Sequence, residues 1–132
     1  TSEVNPKAEH AVIDIMPEQK EKMARGDYGG TMRLGGYACD LKDDSIAREA
    51  YGQNQVRERH RHRYEVNPEY IQKISDAGLV FSGTSPDNRL MEIAELPKSA
   101  HPFMVGTQFH PEFLSRPLHP HPLFLAFIKA AI

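Results

Sequence analysis

From Arg57 to Val66 the chain reads Arg-Glu-Arg-His-Arg-His-Arg-Tyr-Glu-Val, and this alternation constrains the fold more than any other stretch. Side chains two residues apart share one face of an extended strand. The spacing therefore predicts a strand over 56–66, with Arg57, Arg59, Arg61 and Arg63 on one face and His60, His62 and Tyr64 on the other. Four guanidinium groups on one face repel unless carboxylates or an anionic ligand lie over them, and Arg is suited to gripping a carboxylate in a bidentate way. A structural network of ion pairs and an anion-binding face both satisfy that demand. A nucleic-acid surface does not fit: the chain carries 16 Lys+Arg against 18 Asp+Glu, a net charge of −2, and nothing extends the basic patch.

The length of 132 residues allows one domain. A hydrophobic share of 39% with 26% charged residues belongs to a soluble globular chain rather than a disordered one. One cysteine excludes an internal disulfide framework and Cys-rich zinc sites. No apolar run approaches the ~18 residues that would span a bilayer, and the opening TSEVNPKAEH lacks the parts of a signal peptide. The expected setting is reducing and cytoplasmic. The opening also lacks Met, so the chain is expected to begin inside a larger protein.

The other elements are read from local signals. The apolar run 11–15, stopped by Pro17, predicts a buried strand, and the charged stretch 17–28 a flexible loop before Gly29-Gly30. Two short strands follow, at 31–35 and around 37–41. Asp43-Asp44-Ser45 caps a short helix through Tyr51 that Gly52 closes. Asn67-Pro68-Glu69 opens a better-signalled helix, with Asn as N-cap, Pro at the first position and a carboxylate at the positive end; Gly78 marks its left-handed close. Strands at 79–82 and 90–96 flank the turn 85–88, 103–109 is a strongly apolar strand, and 123–132 is a final amphipathic helix. Strands and helices are mixed, which reads as α/β or α+β.

The stretch 106–113 carries the strongest chemical signal. An apolar strand delivers His110 to its C-terminal end, where open α/β sheets place their sites, and Pro111 restricts the backbone there. In an extended segment His110 and Glu112 project to the same side. A carboxylate beside an imidazole fixes its tautomer and stabilises the imidazolium. Spacing alone leaves two readings open: a base with its orienting partner, or a strand end with a solvated His and a surface Glu. His60/His62 and His119/His121 could each chelate an ion, but no Asp, Glu or Cys pattern completes a shell, so no metal is expected. The tail 116–122 reads as a rigid connector. Cys39, in Tyr37-Ala38-Cys39-Asp40, lacks the tight turn and helix N-terminus of a catalytic thiol, and reads as a half-buried strand residue.

The segment Thr107-Gln108-Phe109-His110-Pro111-Glu112-Phe113 resembles the His/Glu stretch of class I glutamine amidotransferases, whose triad is Cys-His-Glu. Together, Gly29-Gly30-Thr31-Met32-Arg33-Leu34-Gly35, the run 58–67 and the run 110–117 resemble the CTP synthase family within that class. The resemblance covers residues 1–132 as the carboxy-terminal portion of the glutaminase domain. It implies a partial class I amidotransferase fold: α/β, a mixed sheet with flanking helices. It implies hydrolysis of glutamine and transfer of the ammonia to ATP-activated UTP, giving CTP.

By the same resemblance His110 is the general base, Glu112 its orienting partner, Arg63 the glutamine-binding arginine, and Glu3, in Thr1-Ser2-Glu3-Val4, a second glutamine contact. No cofactor is implied in this chain; ATP, Mg and a GTP effector belong to the whole enzyme. The implied partners are glutamine, the upstream half of the amidotransferase domain, the synthetase domain and further copies in a homotetramer, with neither nucleic acid nor membrane. The nucleophile motif Gly-x-Cys-Leu-Gly appears nowhere in the sequence and Cys39 does not replace it, so the chain alone is expected to be inactive. Central strands that would cover the apolar faces of 103–109 and 13–15 are also expected to be missing. A non-catalytic module holding an amino acid or a partner through Arg63 and Glu3 is the second reading. A metal- or nucleic-acid-binding His/Arg module is the third.

Overall fold

The computed structural model describes residues 1–15, 19, 24–25 and 32–132; the 17–28 loop falls almost wholly outside them. The elements run β1 (Ile13–Ile15), β2 (Arg33–Leu41), α1 (Ile46–Tyr51), β3 (Gln55–His62), β4 (Tyr64–Val66), α2 (Pro68–Asp76), β5 (Val80–Thr84), β6 (Met91–Glu95), β7 (Val105–Thr107) and α3 (Pro122–Ala131). A five-stranded sheet has the order β3-β2-β5-β6-β7, and β1 pairs with β4 in a separate two-stranded sheet. All the strand pairs are antiparallel among the described residues.

The local signals act as expected at the helices. The Asn67 side chain accepts a hydrogen bond from the Glu69 amide, and Gly78 has φ +101°. Ser45 caps α1 through the Arg48 amide, and Gly52 closes it at φ +68°. The turn after β5 is closed by the Asn88 amide donating to the Ser85 carbonyl at 2.7 Å.

Three strands differ from expectation. The two predicted at 31–35 and 37–41 are one nine-residue strand, β2, which passes through Gly35 at φ +101°. The strand predicted over 56–66 is split at Arg63, because the partner changes: Arg33 to Asp40 of β2 pair with β3, whereas Ile13 to Ile15 of β1 pair with β4. Only Arg57, Arg59 and Arg61 therefore share the exposed face, above the inward Val56, Glu58 and His60. The apolar strand predicted over 103–109 shortens to Val105–Thr107.

Beyond β7 the chain leaves one side of the sheet and reaches the other. The Gln108 amide donates to Glu92 O on β6 at 2.8 Å, and the His110 amide donates to Arg59 O on β3 at 2.9 Å. This curl closes the sheet around Phe109 and places His110 on its rim. The core beneath joins Cys39, Leu41, Val56, Ile93 and Phe109 with Ala47 of α1 and Leu123 of α3. Cys39 is fully buried, not half-buried, because β5 approaches through Gly83, where a Cβ would lie 2.8 Å from the Cys39 sulfur and 2.6 Å from Ile93 Cγ1. Four exposed apolar side chains cluster on α3, at Phe124, Leu125, Phe127 and Ile128, whereas β1 is half-buried.

Two buried carboxylates dock the helices. Glu58 of β3 accepts from Tyr51 Oη at 2.7 Å and from His121 Nε2 at 3.0 Å. His121 Nδ1 accepts from the Leu123 amide, so His121 caps α3 while it donates to Glu58. Glu95 of β6 accepts from the Ile46 and Ala47 amides at 2.7 and 3.1 Å and from Ser82 Oγ at 2.8 Å. Glu95→Ala would leave two helix amides and a hydroxyl without their acceptor. A loss of about 3 kcal/mol is expected in the urea unfolding free energy. A change below about 0.5 kcal/mol would show that water replaces the carboxylate.

Candidate active site

His110 and Glu112 meet as the spacing suggested, by a different geometry. Residues Pro111–Phe113 form a 3-10 turn rather than an extended segment, with His110 extended just before it (φ −112°, ψ 92°). The turn brings Glu112 Oε1 to 2.8 Å from His110 Nδ1. The imidazole also stacks on Phe113, with centroids 5.0 Å apart and ring planes at 20°. Nδ1–H donates to the carboxylate, which leaves Nε2 with its lone pair as a base. The side chains are 39% and 55% exposed, so a reactant has access. The hydrogen bond from His110 holds the Glu112 carboxyl below its usual range, keeping it ionised to stabilise the imidazolium.

Arg63 occupies the break between β3 and β4, half-buried. Its successor is fixed to the His110 segment: Gln108 Nε2 donates to Tyr64 O at 2.7 Å and lies 3.1 Å from His62 Nδ1. Glu3 is exposed, and the neighbouring Ser2 ties the amino-terminal turn to β1 by donating from its amide to Ile13 O at 3.0 Å and from Oγ to Asp14 Oδ1 at 2.5 Å. The two-stranded sheet thus carries Glu3 beside its Ile13 end and Arg63 just before Tyr64, the residue that pairs with Ile15.

Cys39 has no part in this site. Burial first, then the charges of Glu92, Asp40 and Glu58, push its thiol up to about 12. A protonated, enclosed thiol is not a nucleophile.

A buried charge network beneath the site went unread in the sequence. Arg33 reaches Glu92 at 2.8 Å and Glu65 at 3.4 Å, and its guanidinium lies 4.5 Å from the Tyr37 ring centroid. His60 Nδ1 lies 2.8 Å from His62 Nε2 and 3.7 Å from Glu92 Oε2. The only available signal was the pair of carboxylates, Glu92 and Glu95, inside a short apolar strand. The fold thus supplies beside His60 and His62 the carboxylate that the sequence reading lacked, but the two rings already hydrogen-bond each other and Arg33 already neutralises Glu92. His119 is exposed while His121 turns inward, so these two do not form a chelating pair.

The network has a pH signature. Burial, then Arg33, pushes His60 down to about 3 and His62 down to about 4; burial pushes Glu65 up to about 7 against the pull of Arg33. The imidazoles stabilise the fold above their ordinary value of 6.5, and that contribution is lost as pH falls. Glu65 works the other way: its contribution is full below its ordinary value of 4.5 and is lost as pH rises through about 7. Between these ordinary values the unfolded chain holds two extra protons on the imidazoles, and the folded chain holds one on Glu65. The network's share of stability should therefore fall on acidification by about 1.4 kcal/mol per pH unit. Glu65→Gln removes the opposing proton and should roughly double that slope in urea unfolding from pH 4.5 to 6.5. An unchanged slope would mean Glu65 is ionised throughout.

An imidazole oriented by a carboxylate, set on the rim of a curled sheet, can serve as two of the three members of a nucleophile–base–orienter set. The class-I glutamine amidotransferase family model matches residues 8–130, and the chain belongs to that family. It is 55% identical to the CTP synthase of Saccharopolyspora erythraea and 56% identical to that of Mycobacterium tuberculosis, in each case over all of this chain and 23% of the relative. The chain therefore spans about a quarter of the length of these curated relatives. The glutaminase domain of Trypanosoma brucei CTPS, solved with acivicin bound, superposes with a TM-score of 0.86 at 36% identity, over 99% of this chain and 49% of that one. The fold is that of a CTP synthase glutaminase domain.

Proposed function

We propose that this chain is the carboxy-terminal portion of the glutaminase domain of a CTP synthase, and that it supplies the base half of a Cys-His-Glu site. The His110 Nδ1–Glu112 Oε1 contact at 2.8 Å carries this reading, because it leaves Nε2 free to act. A thiol from the upstream half gives its proton to His110 Nε2 and attacks the glutamine amide carbon. The imidazolium, stabilised by Glu112, returns that proton to the departing ammonia, and the same base then activates the water that releases glutamate. Arg63 grips the α-carboxylate of glutamine and Glu3 meets its α-ammonium. The ammonia passes to UTP activated by ATP with Mg in a separate synthetase domain, with GTP as effector, in a cytoplasmic homotetramer that binds neither nucleic acid nor membrane. This chain holds no cofactor of its own. Among the described residues no helix is long and apolar enough to cross a membrane.

Ammonia release from glutamine tests the proposal. The chain alone is expected to release none, and adding the upstream half should restore release. Arg63→Ala should then raise the KM for glutamine about a hundredfold, the scale of a lost charge-assisted bidentate contact. Release by the isolated chain would overturn the division of the site. A KM unchanged by Arg63→Ala would remove that residue from it. Glutamine binding by the isolated chain, lost on Arg63→Ala and with no activity restored by the upstream half, would support the non-catalytic module instead.

A further inference from the structure

We propose that Gln108 is a positioning residue for the glutamine site, one that sets the separation of Arg63 from His110. The proposal rests on the reading above, in which Arg63 grips glutamine and His110 is the base. Neither strand ladder includes Arg63: the β2–β3 ladder ends at His62 and the β1–β4 ladder begins at Tyr64. At that gap the Tyr64 carbonyl accepts its hydrogen bond from a side chain, Gln108 Nε2, at 2.7 Å. The same amide faces His62 Nδ1 at 3.1 Å. One amide group therefore spans the break, touching the residues before and after Arg63.

The other end of Gln108 is fixed. Its backbone amide donates to Glu92 O at 2.8 Å, and two residues later the His110 amide donates to Arg59 O at 2.9 Å. Gln108 thus has its main chain on the strand end that carries the base and its side chain on the break that carries the substrate-gripping arginine. A substrate held at its α-carboxylate by one and attacked at its far amide under the control of the other needs that separation to be constant. An error of about 1 Å there costs about a hundredfold in rate. Gln108 touches neither substrate nor reacting atoms in this arrangement; it acts through Arg63.

The test uses the full-length synthase of which this chain is the proposed carboxy-terminal part, with Gln108→Met, a side chain of similar length without the two N–H donors. The expected result is a rise of about tenfold in the KM for glutamine with a smaller fall in kcat. Amination driven by added ammonia, which bypasses the site, should be unchanged. In an Arg63→Ala background the same substitution should add less than about twofold, because the two residues act as one unit. A KM unchanged by Gln108→Met overturns the proposal. So does an undiminished effect in the Arg63→Ala background, or an equal loss of ammonia-driven amination, since either would make the contact a general support of the fold. Failure of the functional reading looks different: His110→Ala would still hydrolyse glutamine.

Discussion

His110→Ala, in the domain completed by its upstream half, is expected to lower glutamine hydrolysis by about 10^4-fold or more. In the proposed mechanism the imidazole, held by Glu112 at 2.8 Å, is the group that moves the proton. The members of such a set act as a unit, so losing one removes most of what the set provides. The fold should survive, because the main-chain bond from His110 to Arg59 O is kept and the side chain that is lost is 39% exposed. Glu112→Gln should cost less than His110→Ala, since it keeps an acceptor for Nδ1–H but removes the charge that stabilises the imidazolium. Ammonia release measures both, with circular dichroism as the check on folding. Activity of His110→Ala above about a hundredth of the parent would place the base elsewhere.

Where the fold and its side-chain contacts depend on neighbours in sequence, they were legible. The cap at Asn67, the proline after it and Gly78 define α2 within a dozen residues, and Ser45 and Gly52 do the same for α1. The His110–Glu112 contact was legible for the same reason, although Pro111 enforces it through a 3-10 turn rather than an extended strand. What could not be read depends on partners far apart in the chain. The alternation of 57–66 runs unbroken through Arg63, and only the change of partner from β2 to β1 shows that the strand ends there. The four-arginine face fails for that reason. The burial of Cys39 depends on Gly83, and the cap that Glu95 gives α1 joins residues 49 apart. No local period encodes either. Of the residues taken from the family resemblance, His110 sits at the rim, Arg63 at the break between β3 and β4, and Glu3 beside β1, and the contact from Gln108 to Tyr64 O, 44 residues away in the chain, had no local signal.

Arg33→Met is expected to destabilise the chain by about 3–5 kcal/mol, the range measured when one partner of a buried ion pair is removed. That is a large part of the ~5–15 kcal/mol that holds a domain together, so much of the variant should be unfolded near neutral pH. Arg33 holds two carboxylates at once, Glu92 through Nη2 at 2.8 Å and Glu65 through Nη1 at 3.4 Å, and neither Glu is more than a few per cent exposed. Without the guanidinium, one carboxylate can take up a proton, and Glu65, already pushed up to about 7, is the one that does so first. Glu92 is then left buried with no cation beside it among the described residues except the reluctant imidazole of His60. Glu92→Gln in the Arg33→Met background should therefore recover part of the loss, whereas the same change alone should be destabilising. Arg33→Lys should fall between, because a single ammonium cannot occupy both nitrogen positions of the fork. Urea unfolding of the four variants decides the matter. If Arg33→Lys loses as much as Arg33→Met, a single charge contributes nothing without the fork; if Arg33→Lys loses nothing, the fork geometry is irrelevant and the charge alone holds both carboxylates. If Glu92→Gln fails to rescue, the loss comes from packing against Tyr37, whose ring the guanidinium covers at 4.5 Å, and not from an orphaned charge.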